Sequence, residues 1–151
     1  MKNLIGVLIF ILIIISCNSK GKVFNEHNKL AQMYASSDSL EKAIDEWQLA
    51  IKADPDNKLS SGVIDNIMNA KGKLKEQNEY NKAICKQNMS AIESAAAIGY
   101  AQNAIVGNPR YPMKNELISK GLLPEFPKCP SGGTYTYDDK EGIVKCSIHE
   151  K

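Results

Sequence analysis

The sequence has little of what catalysis or nucleic-acid binding requires. Its two histidines are far apart along the chain, which leaves little capacity for general-base chemistry. It contains no Gly-x-Ser-x-Gly, His-Glu-x-x-His or Gly-x-x-x-x-Gly-Lys segment, the motifs of serine hydrolases, zinc proteases and phosphate-binding loops. With 19 Lys and Arg against 17 Asp and Glu, the net charge of +2 is too small for the concentrated basic face that binds nucleic acid. The composition therefore predicts no enzyme, no cofactor and no nucleic-acid partner.

The length and hydropathy exclude two further classes of protein. The 151 residues allow one compact domain or two very small ones. Because 43% of the residues are hydrophobic and 24% are charged, the chain is neither a disordered acidic tail nor a polytopic membrane protein. Much of the apolar content lies in the first sixteen residues, so the remainder predicts a small exported domain.

The N-terminal segment predicts export. Lys2 precedes an apolar run from Leu4 to Ile15, which is short for a membrane-spanning helix of about 20 residues and suits the core of a signal peptide. The run ends in Ile14-Ile15-Ser16-Cys17, which resembles the bacterial lipobox. The resemblance implies cleavage after residues 1–16 and diacylglycerol on Cys17. The alternative is an uncleaved short anchor with an incidental cysteine.

A lipid on Cys17 would hold the protein at the cell envelope. Several acyl chains anchor a protein stably on a bacterial membrane, here facing the periplasm or the exterior. Asn18 to Lys22 are polar and include Gly21, so we expect residues 17–23 to form a short tether.

The segment from residue 24 to residue 58 has the pattern of a helical hairpin. Small Ala31 and Ala43 allow two antiparallel helices to approach closely, while Tyr34 and Trp47 fill the space beside them. The segment resembles one tetratricopeptide repeat, whose period is about 34 residues. The residues at the family's spacing are Leu30, Ala31, Tyr34, Ala43, Trp47, Ala50 and Pro55.

This resemblance implies protein–protein binding, with Tyr34 and Trp47 as interaction residues. Because one repeat cannot bury its apolar face alone, the hairpin must dock on the rest of the chain, on another copy or on a partner. The match departs from the family at His27, where a large aromatic residue is usual, and in the first turn, where Ser37 or Asp38 replaces a glycine. The alternative is a generic helical hairpin with accidental spacing.

Residues 59–151 predict a long helix followed by a C-terminal module. No proline occurs between Ser60 and Asn103, and two apolar stripes at helical spacing flank a polar middle near residues 70–80. The chain then continues through Tyr111-Pro112 to Cys129-Pro130-Ser131-Gly132-Gly133-Thr134-Tyr135 and Cys146-Ser147-Ile148-His149. Together with Cys85-x-x-Asn88-x-x-x-Ile92-x-x-Ala95, this order resembles the globular region of type IV pilin-like proteins.

The resemblance implies a part in a type IV pilus, a type II secretion system or a competence system. It covers roughly residues 80–149 and departs from the family at the N-terminus, where pilins carry a prepilin signal and a long helix with a glutamate near its start. We therefore expect a membrane-anchored interaction or assembly component whose partners are other proteins. An alternative is a pilin-like structural subunit with an atypical leader.

The closing motif predicts a β-hairpin joined by a disulfide. Thr134 to Tyr137 alternates as a strand does, and residues 143–147 return as the second strand after a polar turn. A Cys129–Cys146 bridge would close a loop worth about 3 kcal/mol in the chain-entropy model. Cys85 is then a buried free thiol or an alternative partner for Cys146. The predicted fold class is α+β, with a helical hairpin, a long helix and a small disulfide-linked β-hairpin.

Two metal sites are the alternatives to this interpretation. Cys85, Cys129, Cys146 and His149 supply the ligand set of a Cys₃His zinc site, and Cys146-x-x-His149 is a workable ligand step. An oxidising compartment and the lack of a second close ligand pair near Cys129 favour the disulfide. The acidic residues at 138, 139 and 141 offer calcium ligands, but without a fixed ligand spacing they are typical of a solvated turn.

Overall fold

The computed structural model describes the backbone of residues 2–149 and the side chains of residues 19–149. Its elements are α1 (Lys2–Ser36), α2 (Leu40–Ala53), α3 (Ser60–Ile105), α4 (Lys114–Ser119), β1 (Tyr135–Asp138) and β2 (Ile143–Cys146). The chain divides into two compact units, residues 1–76 and residues 77–151. The boundary falls within the polar middle of α3. The α+β class predicted from the sequence is confirmed.

In the first unit, α1 and α2 pack as an antiparallel hairpin. Ala31, Ala43 and Ala50 are fully buried, so the two backbones lie close together as their small side chains predict. The first part of α3 adds to the same core through Val63 and Ala70. The apolar face of the hairpin is thus covered in part by residues of the same chain.

Polar contacts on the flank of this core tie α1 to α2. The indole Nε1 of Trp47 donates to Oδ1 of Asn28 at 3.2 Å, and Nδ1 of His27 lies 2.7 Å from Oε2 of Glu46. In the turn between the helices, Asp38 has φ = 58°, the left-handed region that favours glycine. Of Ser37 and Asp38, either of which could replace the glycine of the tetratricopeptide turn, Asp38 is the one with positive φ.

The segment expected to be a tether, residues 17–23, is helical and continuous with the rest of α1. Its residues are compatible with a helix apart from Gly21, which costs about 1 kcal/mol in a helix interior relative to alanine. The predicted lipidation residue Cys17 and the predicted signal peptide lie outside the residues whose side chains are described. Among the described residues, no helix is both long enough and apolar enough to cross a membrane.

In the second unit, the later part of α3 packs against the β-hairpin and the loops that lead to it. The buried residues of this core are Cys85, Met89, Ile92, Ala95, Ala96, Leu117, Leu123, Cys129, Tyr135, Val144 and Cys146. A methyl group on Gly99 would lie 2.7 Å from Cγ of Pro112 and 2.8 Å from Cδ1 of Leu122, so only glycine lets this loop lie against the helix.

The two strands form an antiparallel pair in which Tyr135 is opposite Cys146 and Asp138 is opposite Ile143. The turn between them is held by Oδ1 of Asp138, which accepts from the backbone N–H of Lys140 at 2.8 Å. The Asp138 carboxylate therefore hydrogen-bonds within the turn, as is typical of aspartate in a solvated turn. An isolated two-stranded hairpin is marginally stable in water, so this one depends on packing against α3.

Candidate metal centre

Three cysteines and one histidine converge in the second unit. Cys85 projects from α3, Cys129 lies in the loop before β1, Cys146 ends β2, and His149 follows three residues later. Their ligand atoms all lie within 4.8 Å of one another. Four residues that are scattered over the sequence therefore form a single cluster of soft ligands.

The spacing of these atoms is close to that of a tetrahedral zinc site. Nδ1 of His149 lies 3.4 Å from Sγ of Cys129 and 4.0 Å from Sγ of Cys146. Zinc bond lengths of about 2.3 Å to sulfur and 2.0–2.1 Å to nitrogen place tetrahedral ligand atoms about 3.5–3.8 Å apart. Small side-chain adjustments would bring all four atoms within bonding distance of one ion.

The thiols are shielded from water. The exposed fractions of Cys85, Cys129 and Cys146 are 0%, 6% and 2%, while His149 is half-buried. The imidazole therefore lies at the outer side of the cluster. The site can exclude water from three of its four ligands.

The environments of two thiols differ. Burial alone would raise the pKa of Cys146, but hydrogen bonds from the backbone N–H groups of His149 and Ile148 outweigh it and lower the pKa. For Cys85, burial dominates and raises the pKa to about 11, although the hydrogen bond with Tyr135 opposes the change. The backbone after β2 is thus arranged to stabilise negative charge on Cys146.

Residues around the cluster keep it in place. The hydroxyl of Tyr135 lies 3.3 Å from Sγ of Cys85 and 3.4 Å from its carbonyl oxygen. A methyl group on Gly133 would lie 2.7 Å from Sγ of Cys146 and 3.3 Å from Sγ of Cys129. The second glycine of the Gly132-Gly133 pair is therefore required by the closeness of the sulfurs.

The expected disulfide between Cys129 and Cys146 is not formed: Cys85, Cys129 and Cys146 are all free thiols. Three thiols and an imidazole meet at one point. A Cys129–Cys146 disulfide would use two of these groups and leave the Cys85 thiol and the His149 imidazole beside it. The sequence offers no second close ligand pair near Cys129, but the fold brings a ligand to it. His149, twenty residues away in sequence, is its close ligand.

The other residues predicted to be functional lie elsewhere. Trp47 is 5% exposed and belongs to the core of the first unit, so little of it is available to a partner. Tyr34 is half-buried, with Nζ of Lys42 5.6 Å from its ring centroid. The acidic turn residues 138, 139 and 141 are exposed and are not part of the four-residue cluster.

Sequence reasoning missed two residues that support the cluster, Tyr135 and Gly133. The signal for both was present, since they stand six and four residues after Cys129 in the closing motif. No protein-family model, curated protein or solved structure matches this chain.

Proposed function

We propose that this protein is a non-enzymatic, membrane-tethered binding component whose C-terminal unit is held together by a structural zinc ion. The observation that supports the zinc site is the convergence of Cys85, Cys129, Cys146 and His149 with ligand atoms within 4.8 Å. Soft thiolates and an imidazole in a four-ligand set suit zinc better than calcium or magnesium, which prefer oxygen.

The ligand count favours a structural role for this ion. Catalytic zinc sites have three protein ligands and leave the fourth position to water or substrate. Here four protein ligands fill the tetrahedron. The ion would join α3 to the loop before β1 and to the C-terminal end of β2. Its binding energy would then contribute directly to the folding of this unit.

The zinc proposal is tested on the mature chain purified without chelators, under anaerobic conditions and without added reductant, so that a native disulfide would survive. We expect one zinc per chain by elemental analysis, and a denatured mass equal to that of the fully reduced protein. A mass lower by two hydrogens with no metal would assign the Cys129–Cys146 disulfide instead.

Substitution of Cys85 separates the two hypotheses a second time. In the zinc site, Cys85→Ser removes a ligand and lowers both zinc content and thermal stability. In the disulfide, the same variant leaves the bridge intact, so the denatured mass stays two hydrogens below that of the fully reduced protein and there is no metal to lose. His149→Gln also removes a ligand and should lower zinc content. His27→Gln is the matched control, because His27 pairs with Glu46 in the first unit and its substitution should leave zinc content unchanged.

The membrane anchor of this proposal is supported by the lipobox-like segment that ends at Cys17. We expect labelled fatty acid to be incorporated into the wild-type protein and not into Cys17→Ser. A mature protein that keeps Met1 and stays in the soluble fraction would contradict the anchor.

The proposed partners are other proteins, including components of a type IV pilus or secretion system. The support is the tetratricopeptide-like hairpin and the pilin-like order of the closing motif. We expect crosslinking from the exposed Met33 position in intact cells to yield a pilin-like or secretion protein. Products that contain only second copies of the chain would contradict this assignment.

A further inference from the structure

A groove in the second unit lies beside the start of β1. Its volume is about 410 Å³, and it is lined on one side by residues 126–129 and on the other by residues 132–135, with Lys114 as a further lining residue. The side chain of Asn88 donates to the carbonyl oxygen of Lys128 at 3.1 Å, which fixes the first wall to α3. The groove is therefore bounded by anchored backbone on one side and, on the other, by the segment that leads into β1 and by its first residue, Tyr135.

The strand that lines the groove has one unpaired edge. The backbone carbonyl of Thr134 accepts from the N–H of Ser147, so alternate residues from Thr134 onward direct their backbone groups toward β2. The intervening residues, Tyr135 and Tyr137, direct theirs away from β2. Among the described residues, neither has a backbone hydrogen-bond partner outside the hairpin. A strand edge of this kind is a template for another extended chain.

The charge at the groove is positive. Lys114 and Lys128 are both exposed, and within the described part of the chain neither forms an ion pair. Nζ of Lys114 lies 4.1 Å from the ring centroid of Phe126, which places the ammonium group against the aromatic wall. Two cationic groups without acidic partners beside an apolar groove complement a negatively charged occupant.

We propose that this groove binds an extended acidic segment of a partner protein, which adds to β1 as a third strand. In strand addition, main-chain hydrogen bonds supply affinity and side-chain contacts supply specificity. The backbone N–H and C=O groups of Tyr135 and Tyr137 supply the main-chain hydrogen bonds. Lys114 and Lys128 select carboxylates. This inference goes beyond the zinc proposal, although Cys129 lines the groove as well as the cluster. Zinc content is therefore measured together with binding, so that failure of the zinc site and failure of strand addition are distinguishable.

The test uses the full mature chain, with its zinc content measured alongside, and three capped six-residue probes. The first probe alternates Val and Glu, the second alternates Val and Lys, and the third is the first with prolines in place of its valines. We expect the Val-Glu probe to shift the amide resonances of Tyr135 and Tyr137. We expect the Val-Lys and proline probes to bind at least tenfold more weakly.

Charge reversal provides the matched control. Lys114→Glu combined with Lys128→Glu should weaken the Val-Glu probe at least tenfold and improve binding of the Val-Lys probe. Lys145→Glu, an exposed lysine on β2 outside the groove, should leave both affinities unchanged. If the double variant fails to fold, the Lys→Gln pair replaces it and should weaken the Val-Glu probe alone.

Three outcomes would overturn the proposal. No binding of the Val-Glu probe up to millimolar concentration would exclude an acidic strand. Equal binding of the proline probe would exclude strand addition. Concentration-dependent dimerisation that occupies the β1 edge without a probe would assign the groove to a second copy of the chain.

Discussion

The hydroxyl oxygen of Tyr135 on β1 lies 3.3 Å from Sγ of Cys85 on α3. This contact links β1 to the α3 residue that belongs to the candidate metal centre. The pKa of the tyrosine is raised, chiefly by burial and next by this hydrogen bond. The hydroxyl therefore stays protonated and can donate to the sulfur. A donor at a thiolate ligand is a typical outer-shell partner of a structural metal.

Removal of this hydroxyl should weaken zinc binding without removing a ligand. We expect Tyr135→Phe to keep one zinc per chain and to lower zinc affinity by about tenfold, since outer-shell partners commonly contribute 10–100-fold. The measurement is competition with a chromogenic chelator. Tyr137→Phe is the control, because that hydroxyl donates to the carbonyl of Pro112 at 2.9 Å and is not part of the cluster. Equal losses in both variants would contradict a specific role for Tyr135.

Two glycines of α3 should respond in opposite directions to the same substitution. Nothing lies within 4 Å of a methyl group on Gly72, so Gly72→Ala should stabilise the protein by about 1 kcal/mol through helix propensity alone. A methyl group on Gly99 would meet Pro112 and Leu122, so Gly99→Ala should destabilise by about 1–3 kcal/mol. Urea unfolding followed by circular dichroism measures both. A stabilising Gly99→Ala would show that the loop does not pack on the helix.

The ion pair between Arg110 and Glu116 should make stability depend on acid pH. The guanidinium contacts both carboxylate oxygens at 2.6 and 2.7 Å, and with the backbone N–H of Met113 it lowers the pKa of Glu116 to about 2 from an ordinary value of 4.5. A lowered folded-state pKa stabilises the protein above the unfolded-state pKa, and this contribution is lost as the pH falls through the folded-state pKa.

We therefore expect wild type to be more stable than Glu116→Gln at neutral pH, with a difference that shrinks from about pH 5 to about pH 2. Thermal unfolding across this range measures the difference. Glu125→Gln is the control, since no ion pair of Glu125 is present in the described part of the chain. A difference that stays constant down to pH 2 would show that the carboxylate charge is not what stabilises this loop.

Local patterns predicted most of the secondary structure. The small residues of the first helical hairpin, such as Ala31 and Ala43, indicated close helix packing. Small side chains that recur at helical spacing can be recognised within a short stretch of sequence. The alternation after Gly133 indicated a strand for the same reason. The segment expected to be a tether was different: Asn18 to Lys22 are polar, yet they continue α1, since polarity alone does not end a helix.

Trp47 illustrates a limit of family resemblance. Its position in the repeat suggested an interaction residue, whereas its indole is buried and hydrogen-bonded to Asn28. Large aromatic side chains occur both in protein cores and in interfaces, so the residue type does not tell the two apart. Only its surroundings distinguish the two.

The sequence by itself determined the helical hairpin, the long helix and the closing β-turn, because propensity, spacing and turn residues act over short separations. The sequence offered Cys85, Cys129, Cys146 and His149 only as an alternative to the disulfide, and the tertiary structure brings the four residues together. That meeting depends on how α3 packs against a hairpin some fifty residues later, and counting cysteines carries no information about such packing. The same packing left one edge of β1 unpaired beside two lysines, which no pattern in the chain had indicated.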